Sequence, residues 1–154
     1  MKRKNKWFCL ALGFICLSGA LLARPGSALS VTRSAAIEKI CRTHRLDCSE
    51  LKEAVLGVME TGRLPAKWIT KKQANELGWS PGVKLGKVAP GKSIGGDRFG
   101  NRERRLPVVR GRTYFEADLG YKGSKRNATR LIYSSDKLFY VTADHYKTFE
   151  AIPE

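Results

Sequence analysis

The hydrophobic pattern of this chain changes its period near the middle, and this change limits the folds open to it. Before Gly78, apolar residues recur at helical spacing, as in residues 34–44 and 49–60. From Pro81 onward, Gly and Pro interrupt the chain, and apolar and polar residues alternate instead. Helices followed by consecutive strands predict an α+β fold, in which N-terminal helices pack on a twisted antiparallel β-sheet.

Local signals predict the ends of the helices. Ser49 is the predicted N-cap of the second helix, and Gly62 is its stop. Residues 70–73 have capping-box spacing for a short third helix that Gly78 would end. Residues 29–33, ahead of the first helix, are expected to form a loose arm.

The strand predicted at residues 112–119 separates polar from apolar side chains. One face carries Phe115, Ala117 and Leu119, and the opposite face carries Tyr114, Glu116 and Asp118. Further strands are predicted at 130–134, 138–142 and 146–152. A turn at Asp144 and His145 precedes the last of them.

The first 28 residues have the pattern of a secretory signal peptide. A basic stretch (residues 1–6) precedes an apolar stretch (7–23), and small residues follow Arg24-Pro25. An uncleaved membrane anchor is the alternative, although an apolar run of about 16 residues is shorter than the ~20 that a spanning helix needs. The predicted domains are therefore a signal peptide at 1–28 and an exported domain at 29–154.

Positive charge dominates the chain and points to a polyanionic partner. There are 29 Lys and Arg residues against 14 Asp and Glu, which gives a formal net charge of +15. Only five of the basic residues lie within residues 1–28, so the exported domain is itself basic. Nucleic acid, an anionic membrane surface and an acidic protein all fit this charge.

Two cysteines, Cys41 and Cys48, remain after the signal segment. In an oxidising compartment an even number of cysteines favours a disulfide, here one that closes a small loop between the first two helices. A zinc site is the alternative, but His44 is the one further ligand near them in the sequence. No metal and no cofactor are expected.

Three side chains of the predicted sheet suggest a reaction that needs no metal. Glu116 projects from the polar face of one strand, Arg130 begins the next strand, and His145 lies in a turn. A carboxylate can take a proton, an imidazole can give one, and a fixed cation can stabilise charge on a phosphate. RNA supplies its own nucleophile, the ribose 2′-OH.

Four ordered motifs carry a resemblance to a known family. They are IGGDRFGNRE at 94–103, RTYFEAD at 112–118, RLIYSSD at 130–136 and TADHY at 142–146. Together with shorter matches upstream, they cover residues 64–149. This region closely resembles the barnase-like, secreted, guanyl-specific bacterial ribonucleases of the microbial ribonuclease family, although the cysteine pair is not part of their pattern.

The resemblance implies a role for each matching position. Glu116 matches the general base that deprotonates the 2′-OH, and His145 matches the general acid that protonates the leaving 5′-oxygen. The first product would be a 2′,3′-cyclic phosphate, which the same pair then hydrolyses to a 3′-phosphate. Cations around the scissile phosphate match Arg130, Arg126 and Lys71.

The resemblance also implies a guanine site in the loop that runs from Phe99 to Glu103. In this loop Glu103 would accept hydrogen bonds from the guanine base. The neighbouring substrate-binding positions would be Phe99, Asn101, Arg102 and Tyr146. The exported domain is expected to be a monomer outside the cell, with no membrane partner once the signal is removed. Its RNA substrate is expected to be single-stranded, because a paired guanine has its recognition edge occupied. The resemblance further implies an acidic inhibitor protein inside the producing cell.

A non-enzymatic cationic protein that binds anionic surfaces or RNA is the second functional reading. The charge fits it equally well. It leaves Glu116, His145 and Glu103 without a role, and the chemistry of any RNA product would decide between the two readings.

Overall fold

Helices precede strands along the chain, as the change of hydrophobic period predicts. The computed structural model describes residues 29–123 and 126–154. Its helices are α1 (Val31–His44), α2 (Cys48–Thr61), α3 (Lys71–Glu76) and α4 (Leu85–Val88). Its strands are β1 (Trp68–Ile69), β2 (Ser93–Phe99), β3 (Tyr114–Asp118), β4 (Arg130–Ser134), β5 (Phe139–Thr142) and β6 (Glu150–Ile152). The predicted α+β class is confirmed.

The six strands form one sheet in sequence order, from β1 to β6. Four of the five pairings are antiparallel, and the short β1 pairs in parallel with β2. The register of β2 against β3 shifts between Gly95 and Asp97. Gly95 is required there, because a Cβ atom would come within 2.7 Å of the Trp68 ring and 2.9 Å of Leu64.

The helix ends differ in part from the prediction. The expected loose arm at 29–33 is wrong, because the side chain of Ser30 accepts a hydrogen bond from Arg33 N and starts α1 at Val31. The cap of α2 is Asp47 rather than Ser49, since the Asp47 carboxylate accepts from the first N–H groups of that helix. Gly62 ends α2 in the left-handed conformation, as predicted.

The Cys41–Cys48 disulfide is present and joins α1 to α2, with the two Cα atoms 5.6 Å apart. Three further contacts seat α1 on the far edge of the sheet. Arg33 Nε donates to Pro153 O at 2.8 Å, and the Arg33 guanidinium lies 5.5 Å from the centre of the Phe139 ring. His44 Nε2 lies 2.7 Å from Glu150 Oε1.

The sheet divides its side chains between a main core and the opposite face. Ala117, in β3, and Leu119, directly after it, lie in the main core together with residues of α1 and α2, and Phe115 packs against this core. Tyr114, on the opposite face, packs instead with Leu106 and Ile132. The predicted alternation of 112–119 is therefore confirmed, and it leaves Glu116 and Asp118 on the face away from α1 and α2.

Two parts of the prediction need a different account. The last strand is only Glu150–Ile152 rather than 146–152, because the residues before it form a hydrogen-bonded turn. The predicted signal peptide lies outside the described residues. Within the described ranges, no helix has the length and apolar character that crossing a membrane requires.

Candidate active site

Glu116 lies at the centre of β3, on the face of the sheet opposite α1 and α2, which we call the open face. It pairs in register with Asp97 of β2 on one side and Ile132 of β4 on the other. The residue is only 7% exposed, although it carries a carboxylate. Burial of this kind requires partners for the charge, because an unpaired buried carboxylate is costly.

Two neighbours hold this carboxylate, one on each oxygen. Lys71 Nζ donates to Oε1 at 2.8 Å, and the Tyr146 hydroxyl donates to Oε2 at 2.7 Å. Burial alone would raise the pKa of Glu116, but these hydrogen bonds, with the charges of Lys71 and Arg126, lower it below its ordinary value. The group is therefore ionised at neutral pH and can accept a proton.

Lys71 is placed by the first turn of α3. Its backbone N–H donates to Asp97 Oδ2 at 2.9 Å, and the predicted capping box between Thr70 and Gln73 is present at the same end of the helix. This short helix therefore fixes the start of the lysine side chain, whose ammonium group bonds Glu116.

His145 is exposed at the turn between β5 and β6, in a left-handed backbone conformation with φ 58°. Asp144 builds this turn, because its carboxylate accepts from the backbone of Lys147 and Thr148 and from the hydroxyls of Thr142 and Thr148. The hydrogen bonds from Thr148 are the main reason that the pKa of Asp144 lies well below its usual range. The histidine thus stands on a firmly held turn.

Tyr146 contacts both Glu116 and His145, the residues that the family resemblance assigns as base and acid. Its hydroxyl bonds Glu116, and its ring centre lies 4.9 Å from that of His145. Burial and the bond to Glu116 raise the pKa of Tyr146 to about 12. Glu116 and His145 therefore both contact one side chain, although they are 29 positions apart in the sequence.

The two arginines share one buried partner, Asp118, which is 2% exposed. Arg126 donates to its two oxygens at 2.5 and 2.7 Å, which raises the pKa of Arg126. Arg130 Nε lies 2.8 Å from Asp118 Oδ1 but makes no hydrogen bond there, so this contact is electrostatic. Arg130 Nη1 instead donates to Asn127 O and Thr129 O.

The loop after β2 forms one wall of a groove of about 680 Å³. The opposite wall comes from the His145 turn, and the Phe99 ring stacks on Tyr146 with centres 5.3 Å apart. Asn101 closes the loop through two hydrogen bonds with the backbone of Leu106, at 2.8 and 3.1 Å. Arg102 is exposed at the groove.

Glu103 presents an exposed carboxylate at the same groove, with its side chain 72% accessible. Arg105 Nε donates to Glu103 Oε2 at 2.6 Å, and Arg105 Nη1 donates to Lys147 O. This arginine therefore ties the carboxylate to the turn that carries His145.

The residues predicted for the site are linked by contacts: Lys71 and Tyr146 bond Glu116, and the two arginines contact Asp118. The loop residues predicted for the base site line one groove with His145. Sequence reasoning missed the role of Asp118 as the shared partner of the arginines and that of Asp144 as the support of the turn. The alternation of 112–119 had placed Asp118 beside Glu116 on the polar face, and this was the available signal. Among the described residues, no group of three or more His, Cys, Asp or Glu side chains is arranged to hold a metal ion.

Comparison with known proteins adds a family to this geometry. A family described as ribonuclease matches residues 53–153. Over 92 residues, 58% of this chain, the chain is 61% identical to a ribonuclease of Heyndrickxia coagulans, 84% of which is covered. It is equally identical to ribonucleases of Bacillus intermedius and Bacillus pumilus, of which the match covers 56%. The chain thus spans little more than half the length of these two relatives. The family match begins at residue 53, after α1 and after both Cys41 and Cys48.

Proposed function

Because this chain belongs to the barnase-like bacterial ribonuclease family, we propose that it is a secreted endoribonuclease that cleaves single-stranded RNA preferentially after guanosine. The observation that carries the proposal is the double contact of Tyr146, which bonds Glu116 and touches His145. A proton acceptor and a proton donor thereby flank one point of the open sheet face.

In the proposed first step, the Glu116 carboxylate takes the proton of the ribose 2′-OH. The 2′-oxygen attacks the phosphorus, and the bond from phosphorus to the 5′-oxygen of the next nucleotide breaks as His145 protonates that oxygen. The products are a 2′,3′-cyclic phosphate and a free 5′-OH. In the second step the two groups exchange roles, and water opens the ring to a 3′-phosphate.

The cations act on the charge that grows on the phosphate. Lys71 lies beside the reacting carboxylate, and Arg126 and Arg130 are held in place by Asp118. Arg130 is only 3% exposed, so its charge acts on the phosphate from inside a low-dielectric region, where electrostatic stabilisation is strong.

Guanine recognition is assigned to the groove beside the reacting groups. Glu103 offers a carboxylate that can accept from the guanine N1–H and exocyclic amine, and N–H groups of the loop can donate to O6 and N7. Phe99 and Tyr146 provide aromatic rings at this edge. A paired guanine has its recognition edge occupied, which favours single-stranded RNA.

Product analysis tests the proposal directly. The purified protein is incubated with a defined single-stranded RNA in EDTA, and the cut sites and terminal phosphates are mapped. Cuts after G with cyclic phosphate ends are expected, and Glu116→Gln should abolish them while the matched exposed variant Glu60→Gln keeps them. RNA binding without cleavage would instead support the cationic binding protein.

Export and inhibition complete the proposal. Residues 1–28 are proposed to direct secretion of a monomeric protein, and an acidic inhibitor is proposed to occupy the basic site in the producing cell. Lys71, Arg126 and Arg102 give such a partner cations to pair with. Harmless accumulation of active protein in a cell that lacks any inhibitor would contradict this part.

A further inference from the structure

A second hollow, of about 780 Å³, opens beside the reacting groups. It lies between α3, the segment 79–85 and the side chains of Tyr121 and Arg126, and we name it the aromatic hollow. None of its lining residues belongs to the groove at the Phe99–Glu103 loop. Lys71 and Arg126 line it, and Lys71 also bonds Glu116, so it adjoins the place where the scissile phosphate would lie.

Two aromatic residues, Trp79 and Tyr121, line the aromatic hollow. Both pack against one buried cluster, which contains Leu85 and Ile94 among other residues. The indole is also fixed in place, because Trp79 Nε1 donates to Val83 O at 2.9 Å. The aromatic surface is therefore preformed, and binding a flat ligand against it would require little ordering of the protein.

The charged side chains that line the aromatic hollow are all basic, although Lys71 and Arg126 also pair with Glu116 and Asp118 behind it. Lys71, Lys84 and Arg126 line it, and none of the described residues that line it is acidic. Aromatic walls with a cationic rim suit a nucleotide, whose base stacks inside while its phosphate stays at the rim. The volume is within the range of small-molecule sites.

The aromatic hollow offers little that could read the edge of a base. The Asn75 amide nitrogen, in the orientation that satisfies both ends of the amide, donates to Trp79 O at 2.8 Å and to Lys71 O at 3.3 Å. This differs from the other groove, where the Glu103 carboxylate is 72% exposed. A site that stacks a base but makes no hydrogen bonds to its edge can bind any of the four bases.

We propose that the aromatic hollow binds the base of a nucleotide that flanks the cleaved linkage, whatever the identity of that base. The inference rests on the proposed endoribonuclease function. With this second base site the protein would prefer longer RNA chains to dinucleotides. One base would be recognised in the groove at the Phe99–Glu103 loop, and a neighbouring base would stack in the aromatic hollow.

Substrates of increasing length test this binding site. The value of kcat/KM is measured for the dinucleotide GpU and for the same unit extended by one nucleotide on its 5′ or its 3′ side. One extension is expected to raise kcat/KM by about tenfold or more, as a stacked base allows. The gain should be similar for A, C, G and U, and an abasic extension should lose it.

Val83→Glu places a carboxylate at the rim without disturbing the core, since Val83 is 39% exposed. Val31→Glu, at a valine 88% exposed at the start of α1, is the matched control for charge. Val83→Glu should remove most of the gain from extension, and Val31→Glu should keep it. No gain on either side, a gain that the abasic extension retains, or a gain unchanged in Val83→Glu would overturn the inference.

A binding measurement separates this inference from the proposed function. An all-deoxy tetranucleotide that contains one G has no 2′-OH and is not cleaved by the proposed route. The Kd of its complex with the protein should rise in Val83→Glu and stay unchanged in Val31→Glu. An equal Kd for the two variants would overturn the proposal that the aromatic hollow binds a base. Failure of GpU and every longer RNA to be cut would refute the proposed function instead.

Discussion

Asp118→Asn tests whether one buried carboxylate holds the cationic side of the site. Asp118 is 2% exposed and faces two guanidinium groups, with contacts of 2.5 and 2.7 Å to Arg126 and 2.8 Å to Arg130. The substitution keeps the size of the side chain and removes its charge. The guanidinium groups of Arg126 and Arg130 then lose the negative charge that both of them contact.

The structure sets the size of the expected effect. Removal of one partner from a buried ion pair costs about 3–5 kcal/mol, because the remaining charge stays desolvated and unpaired. Arg126 is half-buried and can turn towards water, so we expect the lower end, about 3 kcal/mol, or roughly a hundredfold change in the unfolding equilibrium. Cleavage should weaken as well, since Arg126 loses charge-assisted hydrogen bonds that fix it and Arg130 loses its neighbouring counter-charge.

A second Asp–Arg pair on the same protein provides the control. Arg112 bonds Asp136 with two nitrogens, at 2.6 to 3.0 Å, but the Asp136 side chain is 49% exposed. Asp136→Asn should cost about 1 kcal/mol, less than Asp118→Asn, because water reaches the Asp136 carboxylate and screens its attraction to Arg112. Urea unfolding of both variants measures the difference, and equal losses in the two would refute the argument from burial.

Three further predictions concern the base, the base reader and the disulfide. Lys71→Ala removes a hydrogen bond and a charge that lower the pKa of Glu116 from its ordinary 4.5, so this pKa should rise. The acid limb of the kcat/KM profile, where activity falls because Glu116 gains a proton, should therefore move to higher pH. Glu103→Gln should reduce cleavage after G more than cleavage after the other bases, as mapped cut sites would show. Replacing both Cys41 and Cys48 by Ser opens a loop with a sequence separation of 7 and should lower the free energy of unfolding by about 2.5 kcal/mol in urea.

Each of these has a matched control or a contrary result. Lys72→Ala, at the exposed next residue, should leave the acid limb in place, and an unmoved limb in Lys71→Ala would contradict the assigned base. Equal losses after all four bases would show that Glu103 does not read guanine. Unchanged stability without the cysteines would mean that α1 is held by its other contacts alone.

Local chemistry made much of this fold predictable. The strand at 130–134 has its predicted bounds, and the capping box of Thr70 and Gln73 is present. Both depend on residues close together in the chain. The α4 turn and the two-residue β1 were missed, since elements of four and two residues are too short to show a period.

Contacts between distant residues set the limit of the sequence analysis. Alternation placed Asp118 on the correct face, but no pattern shows that Arg126 and Arg130 share it. Arg33 was expected in a loose arm, yet its side chain contacts Met59, Phe139 and Pro153. No pattern in the sequence indicates that these distant residues meet.

The seating of α1 on the last strand has a consequence for the order of folding. Arg33 and Pro153 are 120 residues apart, so the surface that receives α1 is made only when translation of β5 and β6 is complete. Closure of so long a loop is a late event, whereas α2 and α3 can form from neighbouring residues. α1 is thus translated before the strands that receive it, and it is among the last of the described elements to dock.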